Sequence, residues 1–416
     1  MGNHREDQMQ ILKRLFEKNW FSPWIPRAPH VVKVLVWLLA GGSVLLAQAP
    51  TGWRTFVDGY KAALPKHAIV GSSVAFVENG AITAREHFGL RDKSANLPVN
   101  DDTIFHWASI TKTMTAIGIV QLRDRGLISL DDPIVKYVPE LRKVHNPYAA
   151  QTKTEAITIR QLLSHSAGFR AGTWPWAGDQ PWQPFEPPAW EQLVAMMPYT
   201  QLDFASGTRY SYSNPGYVYL GRVIEDVTGQ PFETYIDKEI LRPLGMTRAF
   251  FDQAPSFLRA NKSHSYFVDD KGLTEARFDF DTGITVMNGG LNAPVVDMAK
   301  YLGLLQGSTD AATASRYDAI ITRRSLDEMW TPVVPVSPGV SMGLGFFLEA
   351  HGGRNFIAHS GGQNGFISHF YVDRASHKAA IITFNTQTES QQLGDARNTR
   401  ALDAAMRDAM VALLFK

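Results

Sequence analysis

The sequence predicts an α/β (α+β) fold in which an antiparallel sheet is built from both ends of the chain, is flanked by helices, and holds a helical insertion between its two halves. Two observations mark the sheet. Ser72 to Val77 and Ile82 to Phe88 are rich in β-branched and aromatic residues and flank Asn79-Gly80, a strong hairpin signal. Far along the chain, Gly345 to Glu349, Asn355 to Ala358, Phe366 to Val372 and Ala379 to Phe384 read as short strands, with Asp373 to Lys378 a polar turn. A third observation marks the insertion: between these groups, apolar residues recur at helical spacing.

In chain order, Val34 to Ala47 is an uncharged run of 14 apolar and small residues, preceded by Arg27 and Lys33 and followed by Ala47-Gln48-Ala49. This is the form of a secretory signal with a small-x-small cleavage site, and cleavage is expected after Ala49. An uncleaved N-terminal anchor is the alternative, although the run is shorter than the ~20 residues a membrane-spanning helix needs. Residues 1–49 therefore read as signal or anchor, 50–416 as one domain, and the expected location is periplasmic or secreted.

Trp53 to Leu64 has helical spacing and ends at Pro65. After the first hairpin, a helix is predicted from Ser109 to Arg125, before Gly126. Its apolar residues Met114, Ile117, Ile119, Val120 and Leu122 fall on several faces, so it should be largely buried. Prolines 133, 139 and 147 break the next stretch into short helices. Gly172 to Trp190 holds four of the ten Trp and five Pro, which suits either a packed-down loop or an apolar wall to a cleft. Helices are then predicted over Gly216 to Val227 and Phe232 to Leu241, at the end of Met287 to Leu305, and over Ala396 to Leu414.

The composition narrows the chemistry. The 416 residues carry a formal charge of +1, with 44% hydrophobic and 19% charged residues, and the basic residues are not clustered, which argues against a nucleic-acid surface. Cysteine is absent, which excludes disulfides, thiolate catalysis and Cys-ligated metals. No His-Glu-x-x-His occurs and the twelve histidines are scattered, so no metal site is expected. There is no Gly-x-Ser-x-Gly, phosphate-binding loop or dinucleotide fingerprint, and no cofactor is expected.

Three short motifs each occur once. Ser109 and Lys112 form the only Ser-x-x-Lys; residues three apart share a helix face, so the ammonium can reach the hydroxyl. Free serine is a poor nucleophile, and holding a lysine of ordinary pKa ~10.4 neutral at pH 7 costs about 4 kcal/mol, so the pair needs help from its surroundings. Tyr212 and Asn214 form the only Tyr-x-Asn, and His359-Ser360-Gly361 the only His/Lys-Ser/Thr-Gly, placed at the end of a predicted strand. A serine hydrolase needs a proton carrier for its leaving group and donors for its oxyanion, and the two later motifs offer both. His165, in Leu-Leu-Ser-His-Ser, reads as a structural polar residue.

With these motifs in this order, the sequence resembles the serine hydrolases related to class C β-lactamases, a family that includes D-Ala-D-Ala carboxypeptidases, D-amino-acid peptidases and carboxylesterases. The stretches 126–141, 157–169, 210–229, 241–251 and 289–302 share the likeness, which runs from about Val70 to Phe384. The resemblance implies a β-lactamase/transpeptidase-like fold and an acyl-enzyme formed on Ser109. Lys112 and Tyr212 would share the proton traffic, with Lys112 favouring the phenolate of Tyr212 or the two acting as one unit. Asn214 would orient Lys112 or a substrate amide, and the backbone N–H groups of Ser109 and Gly362 would form the oxyanion hole beside His359, Ser360 and Gly361. His359 stands where the β-lactamases of the family have lysine, which speaks against efficient β-lactam hydrolysis. The expected partner is a small-molecule or short-peptide substrate. An ester or a D-amino-acid amide is expected, with the Trp-rich segment favouring apolar acyl groups; the alternatives are a true β-lactamase and a catalytically silent scaffold on the same fold.

Overall fold

The computed structural model describes residues 48–172, 189–278, 280–391 and 398–416. The expected signal segment, to Ala47, and residues 173–188 of the Trp-rich stretch lie outside the described residues. In chain order the elements are α1 (Trp53–Ala63), β1 (Gly71–Glu78), β2 (Ala81–Asp92), β3 (Leu97–Pro98), β4 (Ile104–His106), α2 (Thr111–Asp124), α3 (Ile159–Leu163), α4 (Trp190–Met196), α5 (Asn214–Thr228) and α6 (Phe232–Ile236). There follow β5 (Phe250–Phe251), β6 (Tyr266–Asp269), β7 (Gly272–Glu275), α7 (Val286–Gly289), β8 (Leu291–Pro294), α8 (Val295–Gln306), α9 (Ala311–Asp318), α10 (Arg323–Met329), β9 (Val334–Ser337) and β10 (Val340–Met342). The chain closes with β11 (Phe347–His351), β12 (Arg354–Gln363), β13 (Phe366–Asp373), β14 (Lys378–Phe384), β15 (Thr386–Thr388) and α11 (Thr399–Leu414).

Among the described residues, nine strands form the main sheet in the order β3-β2-β1-β14-β13-β12-β11-β10-β9. The β1–β14 pairing joins the two ends of the chain, antiparallel, from Ser72 opposite Phe384 to Glu78 opposite Lys378. This is the sheet that the sequence predicts. The β1–β2 turn forms at Asn79 and Gly80, both at positive φ (50° and 80°), which the Asn-Gly pair tolerates.

Both faces of β1 are buried, and alternate residues serve different cores. Val74 and Phe76 pack with Phe56 and Tyr60 of α1 and with Leu402 and Met410 of α11. Ala75 and Val77 face the larger core, shared with α2, α5 and α8. As predicted, α2 is enclosed: every residue from Thr111 to Leu122 is buried. Each fully buried Ile, Leu or Met contributes about 1.5–3 kcal/mol, so the helix that carries Lys112 is held firmly.

Three of the predicted elements differ from expectation. Ser109 does not begin the α-helix but sits in a 3-10 turn, Ala108–Ile110, that leads into α2. The strand expected to stop at Ala358 continues to Gln363, because its glycines remain paired to β13 and do not break the ladder. Finally, Phe232 to Leu241 is a short α-helix followed by a π turn, Asp237–Leu241, and not one regular helix. The short strands β4, β5 and β8 form a second sheet that the sequence reading did not foresee.

Candidate active site

The serine turn is pinned from several sides. Trp107, fully buried, donates its backbone N–H to Leu291 O (2.8 Å) and its indole N–H to Ala293 O (2.8 Å), both on β8. Thr111 Oγ1 donates to Ala108 O (2.6 Å) and accepts from Leu291 N–H (3.1 Å). Ala108, directly before Ser109, is held at φ 47°, a left-handed conformation that costs a residue with a Cβ about 1–2 kcal/mol and that the surrounding bonds impose. Ser109 is half-buried at the end of this turn.

Lys112 is fully buried on the first turn of α2. Its Nζ donates to Ser109 Oγ (3.1 Å) and to Asn288 O of α7 (2.9 Å), and it lies 4.9 Å from the Tyr212 ring centroid and 5.8 Å from that of Tyr217. The aromatic faces supply the cation with a partner in place of water. The Tyr212 hydroxyl lies near Ser109, whose hydroxyl acts to lower its pKa. Burial raises the pKa of this phenol far above its ordinary value, outweighing the opposite effect of the serine. Tyr212 is thus a neutral phenol at pH 7, which corrects the expectation that Lys112 favours its phenolate: desolvation of the anion dominates.

Local sequence explains the placing of Asn214. Ser213 caps α5, its Oγ accepting from Gly216 N–H (3.1 Å), and Pro215 follows in the first turn, so Asn214 is the first helical residue and its backbone N–H bonds Ala171 O (3.0 Å). The Asn214 side-chain oxygen accepts from Asn288 Nδ2 (3.1 Å), and Asn288 O accepts from Lys112. A link from Asn214 to Lys112 therefore runs through Asn288, a residue the sequence reading did not single out.

The third motif lies on β12. Gly361 must be glycine, since a Cβ there would stand 2.2 Å from Trp107 O; its absence lets the strand abut the serine turn. Among the described residues, strand β11 pairs with β12 only from His351 opposite Arg354 to Phe347 opposite Ala358, so no described strand pairs with residues 360–363 on that side and they form an open edge. On the other side, Gln363 pairs with Phe366 around the two-residue turn Asn364-Gly365, both at positive φ. That closing pair is hydrogen-bonded in such a hairpin, and the alternation of an antiparallel ladder then turns the N–H and C=O of Gly362 and Ser360 toward the open edge. Ser360 and Gly362 are exposed there.

His359 is buried, and its Nδ1 donates to Ser360 O (2.7 Å), which leaves Nε2 as the bare nitrogen of the neutral ring. Burial, then the neighbouring Lys112, lowers its pKa to about 3, so it carries no charge at pH 7. The expectation of a neutral imidazole at this position agrees with the structure. His106, three residues before the serine, bonds Asn292 Oδ1 of β8 (3.2 Å) and Gln363 Oε1 (3.1 Å), tying the end of β12 to the second sheet. Beyond Gly362 lies Arg400 of α11: a Cβ at position 362 would stand 3.2 Å from Arg400 Nη2, and the guanidinium is exposed.

The structure thus brings Ser109, Lys112, Tyr212, Asn214, His359, Gly361 and Gly362 to one place, with Ser360 on the same strand edge. It adds Asn288, His106, Arg400 and His165. Only His165 carried a signal in the sequence, as a histidine among serines; Asn288 and Arg400 arrive from distant elements by packing, and His106 stands three residues before Ser109. Among the described residues, no group of His, Asp and Glu is arranged to hold a metal ion.

The esterase EstB of Burkholderia gladioli is 32% identical over 204 residues, 46% of this chain and 50% of the esterase, so the likeness spans half the length of that relative. A solved octameric penicillin-binding protein homologue from Pyrococcus abyssi superposes with a TM-score of 0.70 at 26% identity, covering 86% of this chain and 77% of its own. A D-stereospecific amidohydrolase from Streptomyces sp. does so with a TM-score of 0.65 at 25% identity, covering 85% and 98%. The sequence model of the family described as Beta-lactamase matches residues 53–405, and the chain accordingly belongs to the Beta-lactamase family of serine hydrolases.

Proposed function

We propose that this protein is a serine acyl hydrolase that forms an acyl-enzyme on Ser109 and cleaves an ester or a D-amino-acid-type amide. The observation that carries the reading is the bond from Lys112 Nζ to Ser109 Oγ (3.1 Å), with Nζ also 4.9 Å from the Tyr212 ring, beside the edge of β12.

In this reading the Lys112–Tyr212 pair reacts with Lys112 as the neutral amine, and the Ser109 Oγ–H proton passes to its Nζ as Oγ bonds the substrate carbonyl carbon. The oxyanion is held by the N–H groups of Ser109 and Gly362, each such donor supplying about 2.7–4 kcal/mol of transition-state stabilisation. Collapse breaks the bond to the leaving group, which takes the proton from the pair, with the neutral Tyr212 phenol as its donor. Water then attacks the ester of Ser109 with the roles reversed, releasing the acid and restoring the hydroxyl.

The open edge of β12 offers a peptide backbone the hydrogen bonds of an added strand. The exposed Arg400 beside Gly362 favours a substrate that carries a carboxylate next to its scissile bond, as a D-amino-acid peptide does. The neutral His359 favours such substrates, or esters, over β-lactams. The relatives' names, esterase and D-stereospecific amidohydrolase, fit the same range. The decisive experiment is mass spectrometry after a fluorophosphonate or penicillin: an adduct on Ser109, absent in Ser109→Ala, supports the enzyme, whereas no adduct with either probe supports a silent scaffold. Turnover of p-nitrophenyl esters, a D-Ala-D-Ala peptide and nitrocefin by the same sample ranks the substrates. Rapid nitrocefin hydrolysis without the other two would overturn the ranking.

The expected signal segment further makes this a periplasmic or secreted enzyme. N-terminal sequencing of the exported chain should begin at Pro50; a retained N-terminus in the membrane fraction would favour the anchor.

A further inference from the structure

The mechanism above makes no use of His165, yet it holds Tyr212 on three sides. Its backbone C=O accepts from Ser211 N–H (2.8 Å), and its Nδ1 accepts from Ser213 N–H (3.0 Å), so both chain neighbours of Tyr212 are bonded to this one residue. Between those anchors the imidazole lies against the Tyr212 ring, centroids 4.3 Å apart and planes inclined by 33°. It also meets the Tyr217 ring, at 4.9 Å, and the Tyr210 ring edge-on, at 6.1 Å, and Tyr217 donates its hydroxyl to Leu163 O (2.8 Å).

The bond from Ser213 fixes the imidazole tautomer. A backbone N–H can only donate, so Nδ1 is the bare nitrogen and the proton is on Nε2. Only the neutral ring can accept at Nδ1. The burial of His165 and the neighbouring Lys112 and His359 keep it neutral, its pKa well below the ordinary range. His165 also sits at φ 53°, a left-handed conformation that the short chain from α3 imposes and that asparagine and glycine accept more readily than other residues.

We infer that His165 is a positioning residue: its two hydrogen bonds and its ring fix the Tyr212 hydroxyl against Ser109 for proton transfer. This rests on the reading of Tyr212 as proton donor in the proposed hydrolysis. A Tyr212 free to swing by about 1 Å would lose about 10²-fold in rate.

The test separates the Nδ1 acceptor from mere filling of space. Asparagine places Oδ1 where Nδ1 stands and tolerates the left-handed backbone; glycine tolerates the backbone and offers no acceptor. Rates on a p-nitrophenyl ester are expressed per fluorophosphonate-titratable Ser109, so that a loss of folded protein does not count as a loss of rate. The expected result is a fall of kcat of about 10²-fold in His165→Gly with KM within about threefold, and recovery of at least about tenfold of that loss in His165→Asn. Where the glycine variant does not fold, His165→Ala takes its place with the same expectation. A truncated variant with kcat within about threefold of the parent, or an asparagine variant no better than the truncation, overturns the inference. Tyr212→Phe is run alongside: if it retains full activity, the proton-donor reading of Tyr212 fails, whereas loss in Tyr212→Phe without loss in His165→Gly defeats the role of His165 alone.

Discussion

Replacing Gly361 by alanine tests whether the close approach of β12 to the serine turn is what builds the site. The new Cβ would stand 2.2 Å from Trp107 O and 2.7 Å from Ser368 Oγ. Ordinary carbon–oxygen contacts begin well beyond 3 Å, so the strand and the turn must part by close to 1 Å. The Ser368 hydroxyl can rotate away, but Trp107 O cannot, because the Trp107 backbone N–H and indole are both bonded to β8. Overpacking of this kind costs about 1–3 kcal/mol of stability. The larger effect falls on the reaction: the separation moves the Gly362 N–H relative to Ser109 Oγ, and misplacement by 1 Å costs about 10²-fold. Urea denaturation gives the first quantity, and kcat on a p-nitrophenyl ester per titrated Ser109 gives the second. A Gly361→Ala protein with unchanged stability and a kcat within about twofold would refute the claim that this contact sets the geometry.

Three further outcomes follow from the site. Tyr212→Phe removes the proton donor and should lower kcat by about 10²–10⁴-fold, with slower labelling of Ser109 by fluorophosphonate and an unaltered fold by circular dichroism. Arg400→Ala should raise KM for a D-Ala-D-Ala peptide about tenfold, the value of one charge-assisted hydrogen bond, and leave KM for a neutral p-nitrophenyl ester unchanged; equal effects on both would sink its role as a carboxylate partner. The pH dependence of stability has a definite sign. The folded pKa values of His359 and His106 lie at about 3 and about 4, below the unfolded value near ~6.5, so the unfolded chain binds more protons between these limits. Their contribution is complete above ~6.5 and is lost as pH falls toward 3–4, at about 1.4 kcal/mol per pH unit for each ring. Buried His165 and His369 are lowered in the same way, so urea melts at pH 7 and pH 5 should show at least this slope, and His359→Gln should reduce it by one ring's share.

The local chemistry of the chain determined a good part of the architecture. The Asn79-Gly80 turn and the β-branched and aromatic residues of β1, buried on both faces, fix the first hairpin, and the all-round apolar pattern of α2 announces a helix enclosed by the core. The fixed offset of Ser109 and Lys112 is likewise local and so was legible, whereas apolar spacing places the start of α5 at Gly216 and the Ser213 cap with Pro215 sets it at Asn214. Contacts between residues far apart in sequence were not. That Asn288 joins Lys112 to Asn214, that Gly361 is a point of contact with Trp107 and not a strand end, and that Arg400 reaches Gly362 from the C-terminal helix depend on how the sheet and helices pack. The protonation state of Tyr212 is of the same kind: a phenol beside a lysine invites a phenolate in the sequence, but burial, a property of the whole fold, decides for the neutral form. Motif spacing along the chain identifies the groups that can react; only the tertiary structure, through desolvation and long-range contact, decides which protons they hold and which neighbours aim them.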